Sequence, residues 1–210
     1  MINYASAQTT FGLRIGGNFA GISGAVPIDA RTGVTASPKP GIQIGTLGKS
    51  EVAERLSFQY GLVFVQQGCK FVSSFENFTW NIDYLQVPFN MQVNFGRFFV
   101  QSGVYFGYAL TGKAKSDGNK DASLFEIEKY GGAMKRFDAG IDSRLGLEFG
   151  AFQIGLGSSL GLMNLFNSDD FKGTFQNQIN TKNFALSISL AYFFGNSNSF
   201  QHHSHSSRRW

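Results

Sequence analysis

Charge is scarce in this chain of 210 residues: Asp, Glu, Lys and Arg supply 15% of it. A water-facing surface carries about 25–35%, so much of this surface is expected to meet something other than water. Cysteine is almost missing. The lone Cys69 cannot close an internal disulfide and has no histidine near it in sequence, which excludes a disulfide scaffold and leaves a strand-end thiol. No stretch approaches the roughly 18 consecutive apolar residues of a membrane-crossing helix. That absence does not count against a membrane β-barrel, in which only alternate residues face lipid and the hydropathy average cancels along each strand. Histidine is confined to the tail, at His202, His203 and His205. Without an imidazole elsewhere, the usual Ser/His or Asp/His activation cannot be assembled, and the chain is read as not an enzyme. The 18 basic and 14 acidic residues are scattered, forming no basic stripe with interleaved aromatics, so no nucleic-acid partner is expected.

What the chain has in excess is phenylalanine, 23 copies, and glycine, 26. Their arrangement has period two. Across 83–95 the odd positions read Asp83, Leu85, Val87, Phe89, Met91, Val93 and Phe95, while the even ones include Gln86, Asn90, Gln92 and Asn94. The same alternation marks 11–19, 42–47, 56–66, 98–110, 137–149, 152–162 and 184–194, which makes eight candidate strands. The polar faces carry Gly, Ser, Ala, Gln and Asn, small residues that fit a tight barrel interior better than a water-facing wall.

Connections alternate in length. Residues 48–53, 96–97 and 150–151 read as short turns, whereas 21–39, 68–80, 112–135 and 167–181 are long. Short turns on one rim and long loops on the other describe an all-β, closed up-and-down transmembrane β-barrel of eight antiparallel strands. The turns are expected in the periplasm and the loops outside the cell. An even strand count returns both termini to the periplasmic side of a bacterial outer membrane. Phe11, Phe95, Phe98, Phe149, Phe152, Tyr192 and Phe194 fall beside the short-turn rim and predict an aromatic girdle. Phe19, Tyr108, Phe137 and Phe184 predict a second one at the other rim.

Three segments complete the organisation. Residues 1–9 include Ala5-Ser6-Ala7, which looks like the small-residue end of a secretory signal. Residues 10–195 form the barrel. Residues 196–210 read as a periplasmic, disordered tail in which His202, His203 and His205 are weak metal candidates. On the polar face of the sixth predicted strand lie Asp138, Asp142, Arg144 and Glu148, with Arg14 available on the first. An eight-stranded barrel has room only for side chains, so these five are expected to form an ion-pair plug in the lumen. The glycines of Gly155-Leu156-Gly157-Ser158-Ser159-Leu160-Gly161 resemble a phosphate loop only superficially, because no helix follows them. No cofactor is implied.

Several motifs resemble the PorT-like outer-membrane β-barrel family common in Bacteroidota. These are Gly12-Leu13-Arg14-Ile15-Gly16-Gly17-Asn18, Lys39-Pro40-Gly41-Ile42-Gln43-Ile44-Gly45, Val65-Gln66-Gln67-Gly68-Cys69-Lys70, Gln101-Ser102-Gly103-Val104-Tyr105-Phe106-Gly107-Tyr108, and above all Tyr84-Leu85-Gln86-Val87-Pro88. The likeness extends through Asp138-Ala139-Gly140-Ile141 to the closing Ala191-Tyr192-Phe193-Phe194. It implies the fold and an outer-membrane location, and it links the chain to type IX secretion. The function expected on these grounds is that of an accessory or partner subunit in an outer-membrane secretion or protein-insertion assembly. Its partners would then be outer-membrane lipid and other outer-membrane or periplasmic proteins. Two alternatives remain: a free-standing structural or adhesive barrel that binds an extracellular ligand through its long loops, and a narrow channel.

Overall fold

The computed structural model describes residues 9–24, 35–72, 77–116, 121–126, 134–166 and 181–194. The alternating segments become strands β1 (Thr9–Ser23), β2 (Thr35–Ala53), β3 (Leu56–Val72), β4 (Phe78–Phe95), β5 (Phe98–Ser116), β7 (Phe137–Phe149), β8 (Phe152–Gly161) and β9 (Lys182–Phe194), with a two-residue β6 (Ala122–Ser123) between β5 and β7. Every neighbouring pair is antiparallel, and β1 also pairs with β9, from Phe11↔Phe194 to Ser23↔Lys182, so the eight long strands close into a ring. Closure is what hydrocarbon demands, since an open edge there would leave unmet backbone hydrogen bonds worth several kcal/mol each. The small β6 lies outside the ring, beside Lys113 and Ala114 of β5.

Two of the three short turns are held by glycines in the left-handed region, Gly96 at φ 66° and Gly150 at φ 57°, where a side chain would be strained. The third differs from expectation. Residues 48–53 are strand, Lys49 pairing with Gln59 and Ser50 with Phe58, and the turn is Glu54-Arg55. Gly48 is there for space: a Cβ on it would stand 2.7 Å from the Tyr60 ring. In β4, buried Pro88 lacks an amide hydrogen, and the ladder to β3 is interrupted between Tyr60↔Phe89 and Val63↔Gln86.

The pleat sorts the side chains as the alternation predicts. Outward residues such as Leu156 and Ile188 are more than half exposed, whereas inward Gln59, Gln92 and Gln101 are buried. Along β4 the apolar outer face runs from Leu85 to Phe95. Ten residues at about 3.3 Å rise, tilted by about 40°, span roughly 25 Å, the height of a lipid-facing band.

Beyond that band four strands overshoot. Residues 35–39, 68–72, 78–82 and 111–116, most of them expected in loops, extend β2 to β5 into a sheet that rises above the long-loop rim on one side. Register shifts hide this in the sequence. The β4–β5 pairing jumps between Asp83↔Thr111 and Tyr84↔Ala109, so Leu110 is an extra residue and the inward parity of β5 changes from odd to even. A shift in β2 between Pro38 and Gln43 breaks the period there as well.

Candidate functional site

Three regions carry side chains able to do chemistry or recognition, and each follows from the pleat. The first is the lumen, whose charges form three tiers. Nearest the short turns, Lys49 Nζ on β2 reaches across to Glu148 on β7, 2.7 Å from Oε1 and 2.9 Å from Oε2. The carboxylate also accepts from Gln153 Nε2 at 2.8 Å and Gln92 Nε2 at 3.1 Å. In the middle tier Arg14 donates to Gln59, whose Oε1 also accepts from Gln101 at 3.0 Å. In the same tier Asp142 accepts from Asn90 Nδ2 at 2.9 Å, and Arg144 stands 3.9 Å from Asp142. In the upper tier Asp138 takes hydrogen bonds from Tyr105 Oη and Asn183 Nδ2, both at 3.0 Å, and meets no cation among the described residues. Gly155 and Gly157 make room for Arg144: a Cβ on the first would lie 2.9 Å from its Cδ, and on the second 3.0 Å from its Nε. They are packing glycines on a strand.

The second region is an apolar cap over the lumen at the long-loop rim. Phe71, Trp80, Ile82 and Ala114 on the inner face of the extension pack with Leu124, Met134, Leu165 and Phe166 from the connections around β6 and after β8. Trp80 sits edge-on to Phe71 at 4.8 Å between ring centroids and tilted to Phe166 at 5.7 Å. Cys69 is buried in this cluster rather than displayed.

The third region is the outer face of the same extension. Here Lys39, Gln66, Lys70, Asn77, Thr79, Asn81, Asp83, Thr111, Lys113, Lys115 and Asp121 line a concave surface of about 780 Å³. Thr111 Oγ1 donates to Asp83 at 2.7 Å, and Lys115 stands 3.8 Å from Asp121. Lys39, Lys70 and Lys113 make no ion pair among the described residues. Four lysines against two aspartates leave the groove positive.

A family model for the outer membrane protein beta-barrel domain matches residues 6–167, about three quarters of the chain. The chain belongs to this outer-membrane barrel family. It is an integral β-barrel of the bacterial outer membrane, and its apolar outer wall contacts lipid. No curated protein matches it in sequence. Among solved structures it is similar to Ail, the attachment invasion locus protein of Yersinia pestis, in a complex with the heparin analogue sucrose octasulfate, at 12% identity, with 89% of this chain and 99% of that one covered and a TM-score of 0.47. Neisserial surface protein A shares 10% identity over 88% and 98% at a TM-score of 0.49. OprG of Pseudomonas aeruginosa shares 14% over 90% and 97% at 0.44.

The five residues expected in the lumen all point inward, yet they do not form one network. Arg144 meets Asp142 only at the edge of ion-pair distance, Arg14 is bound by an amide, and Glu148 belongs to Lys49. Lys49 was hidden because its segment reads as a turn. Phe11, Phe95, Phe98, Phe149, Phe152, Tyr192 and Phe194 all lie exposed on the outer wall beside the short-turn rim, with Tyr192 4.9 Å from Phe152 and 5.2 Å from Phe194 between centroids. Of the residues expected in the other girdle, Phe19, Tyr108 and Phe137 lie exposed on the outer wall, and Phe137 stacks on Phe106 at 6.3 Å between centroids. His202, His203 and His205, the signal-like segment and the tail lie outside the described residues. Among the described residues no group of three or more potential metal ligands occurs.

Proposed function

We propose that this barrel is a non-enzymatic, non-conducting binding platform of the outer membrane that presents its groove outside the cell and recognises an anionic surface ligand. Its short turns and both termini face the periplasm. The observation that carries this reading is the extension. Four strands continue past the lipid band into a sheet whose inner face is sealed by apolar side chains and whose outer face is polar, concave and positive. A wall built only to cross lipid has no use for that surface, and a concave patch of one sign raises the local concentration of oppositely charged partners. Absence of conduction is supported by the filled lumen and by the cap above it.

The test uses purified barrel in detergent on surfaces bearing inorganic polyphosphate or neutral dextran. Retention on polyphosphate alone, declining with salt and reduced several-fold in the Lys39→Gln/Lys70→Gln/Lys113→Gln variant, is the expected result. Equal retention of wild type and variant would remove the groove from the function. The same surface serves a second reading, an accessory subunit of secretion or insertion machinery, which the PorT-like motifs support. A stoichiometric companion retained after gentle solubilisation would favour it.

A further inference from the structure

We infer that the middle tier of the lumen is a binding site for a small monatomic anion of the halide class, held between Arg14 and Arg144. A cavity of about 30 Å³ lies there, lined by Arg14, Asn18, Gln43, Gln86, Asp142 and Arg144 among others. Five nitrogens in this wall have no hydrogen-bond acceptor: Arg14 Nε, Arg144 Nε and Nη1, Gln43 Nε2 and Gln86 Nε2. All four side chains are more than nine-tenths buried. The amide nitrogens could exchange places with their oxygens, but a guanidinium can only donate, so three of the five orphans are donors under any assignment. Small residues keep the donors clear of the wall: a Cβ on Gly16 would lie 2.9 Å from Gln43 Nε2, as one on Gly157 would crowd Arg144 Nε.

Charge points the same way. The tier holds two guanidiniums and one carboxylate, and Asp142 is itself engaged by Asn90. The other lumen carboxylates are committed elsewhere, Asp138 to Tyr105 and Asn183, Glu148 to Lys49 and two glutamines. Water would answer the orphaned donors and the orphaned acceptors of the tier, Asn18 Oδ1, Asn90 Oδ1 and Gln101 Oε1, but would leave the excess positive charge uncompensated in a low-dielectric interior. An anion does both. A volume near 30 Å³ admits about two waters, which suits one halide and is too small for a tetrahedral oxyanion with its four oxygens. The apolar cap above and the Lys49–Glu148 tier below mean that the ion is enclosed as the barrel closes.

The full chain is therefore refolded into detergent micelles in bromide and crystallised, and diffraction is collected at the bromine edge. The expected result is an anomalous peak inside the barrel within hydrogen-bonding reach of Arg14 and Arg144. In parallel, the urea midpoint of the wild type should rise with chloride concentration but not with gluconate, which is too large to enter, at matched ionic strength. Gln43→Glu, which brings a carboxylate to the same guanidiniums, should abolish both the peak and the chloride dependence. Water-like density without anomalous signal, bromide on the outer surface only, or equal midpoints in chloride and gluconate would each overturn the assignment. The wild-type measurements decide it even if the variant fails to fold.

Discussion

Replacing Lys49 with Met isolates the one close ion pair of the lumen among the described residues. Lys49 is almost wholly buried, and its Nζ lies within 3 Å of both oxygens of Glu148, whose side chain is 19% exposed. Removing one partner of a buried pair leaves a charge uncompensated and typically costs about 3–5 kcal/mol. Two features soften the loss. Glu148 keeps the amide donors of Gln92 and Gln153, and it sits at the rim, where some water reaches it. We therefore expect about 3 kcal/mol, roughly two decades in the folding equilibrium. Lys49→Met/Glu148→Gln removes both charges and should return to within about 1 kcal/mol of wild type, because replacing a buried pair by matched neutral side chains is often close to neutral. Urea titration in detergent micelles, followed by Trp80 fluorescence, reads the effect. Trp80 lies in the cap at the opposite rim, so a shift there reports unfolding of the whole barrel. A loss below about 1 kcal/mol for Lys49→Met, or additive losses in the double variant, would refute the view that this pair holds the lumen.

Trp80→Ala should cost about 3–5 kcal/mol by opening a cavity between Phe71 and Phe166. It should also make Cys69, the cross-strand neighbour of Trp80, reactive to maleimide, a reagent that leaves the folded wild type unmodified. For orientation, a membrane-impermeant maleimide on intact cells should label Asp121→Cys and spare Ser50→Cys; the reverse pattern would turn the barrel over.

Much of this architecture was legible before any tertiary contact was known. A barrel wall between lipid and a packed interior imposes a strict two-residue period, and that period survives in the sequence wherever both environments persist. The span Phe137–Phe149 matches the expected strand residue for residue, and the alternation of short and long connections gave the up-and-down order. Inward placement of Arg14, Asp138, Asp142, Arg144 and Glu148 followed from parity alone. Which of them meet did not, because partners in a lumen come from strands far apart in the chain: Lys49 and Glu148 are separated by 99 residues, and Gln59 and Arg14 by 45. The extension was invisible for a related reason. Above the lipid band the outer face becomes polar while the inner face becomes apolar, so the hydropathy pattern inverts just where the extra Leu110 in β5 and the register shift between Pro38 and Gln43 in β2 change the parity. Periodicity records the solvent on each side of a strand, and only the closed ring with its cap determined that those sides had exchanged.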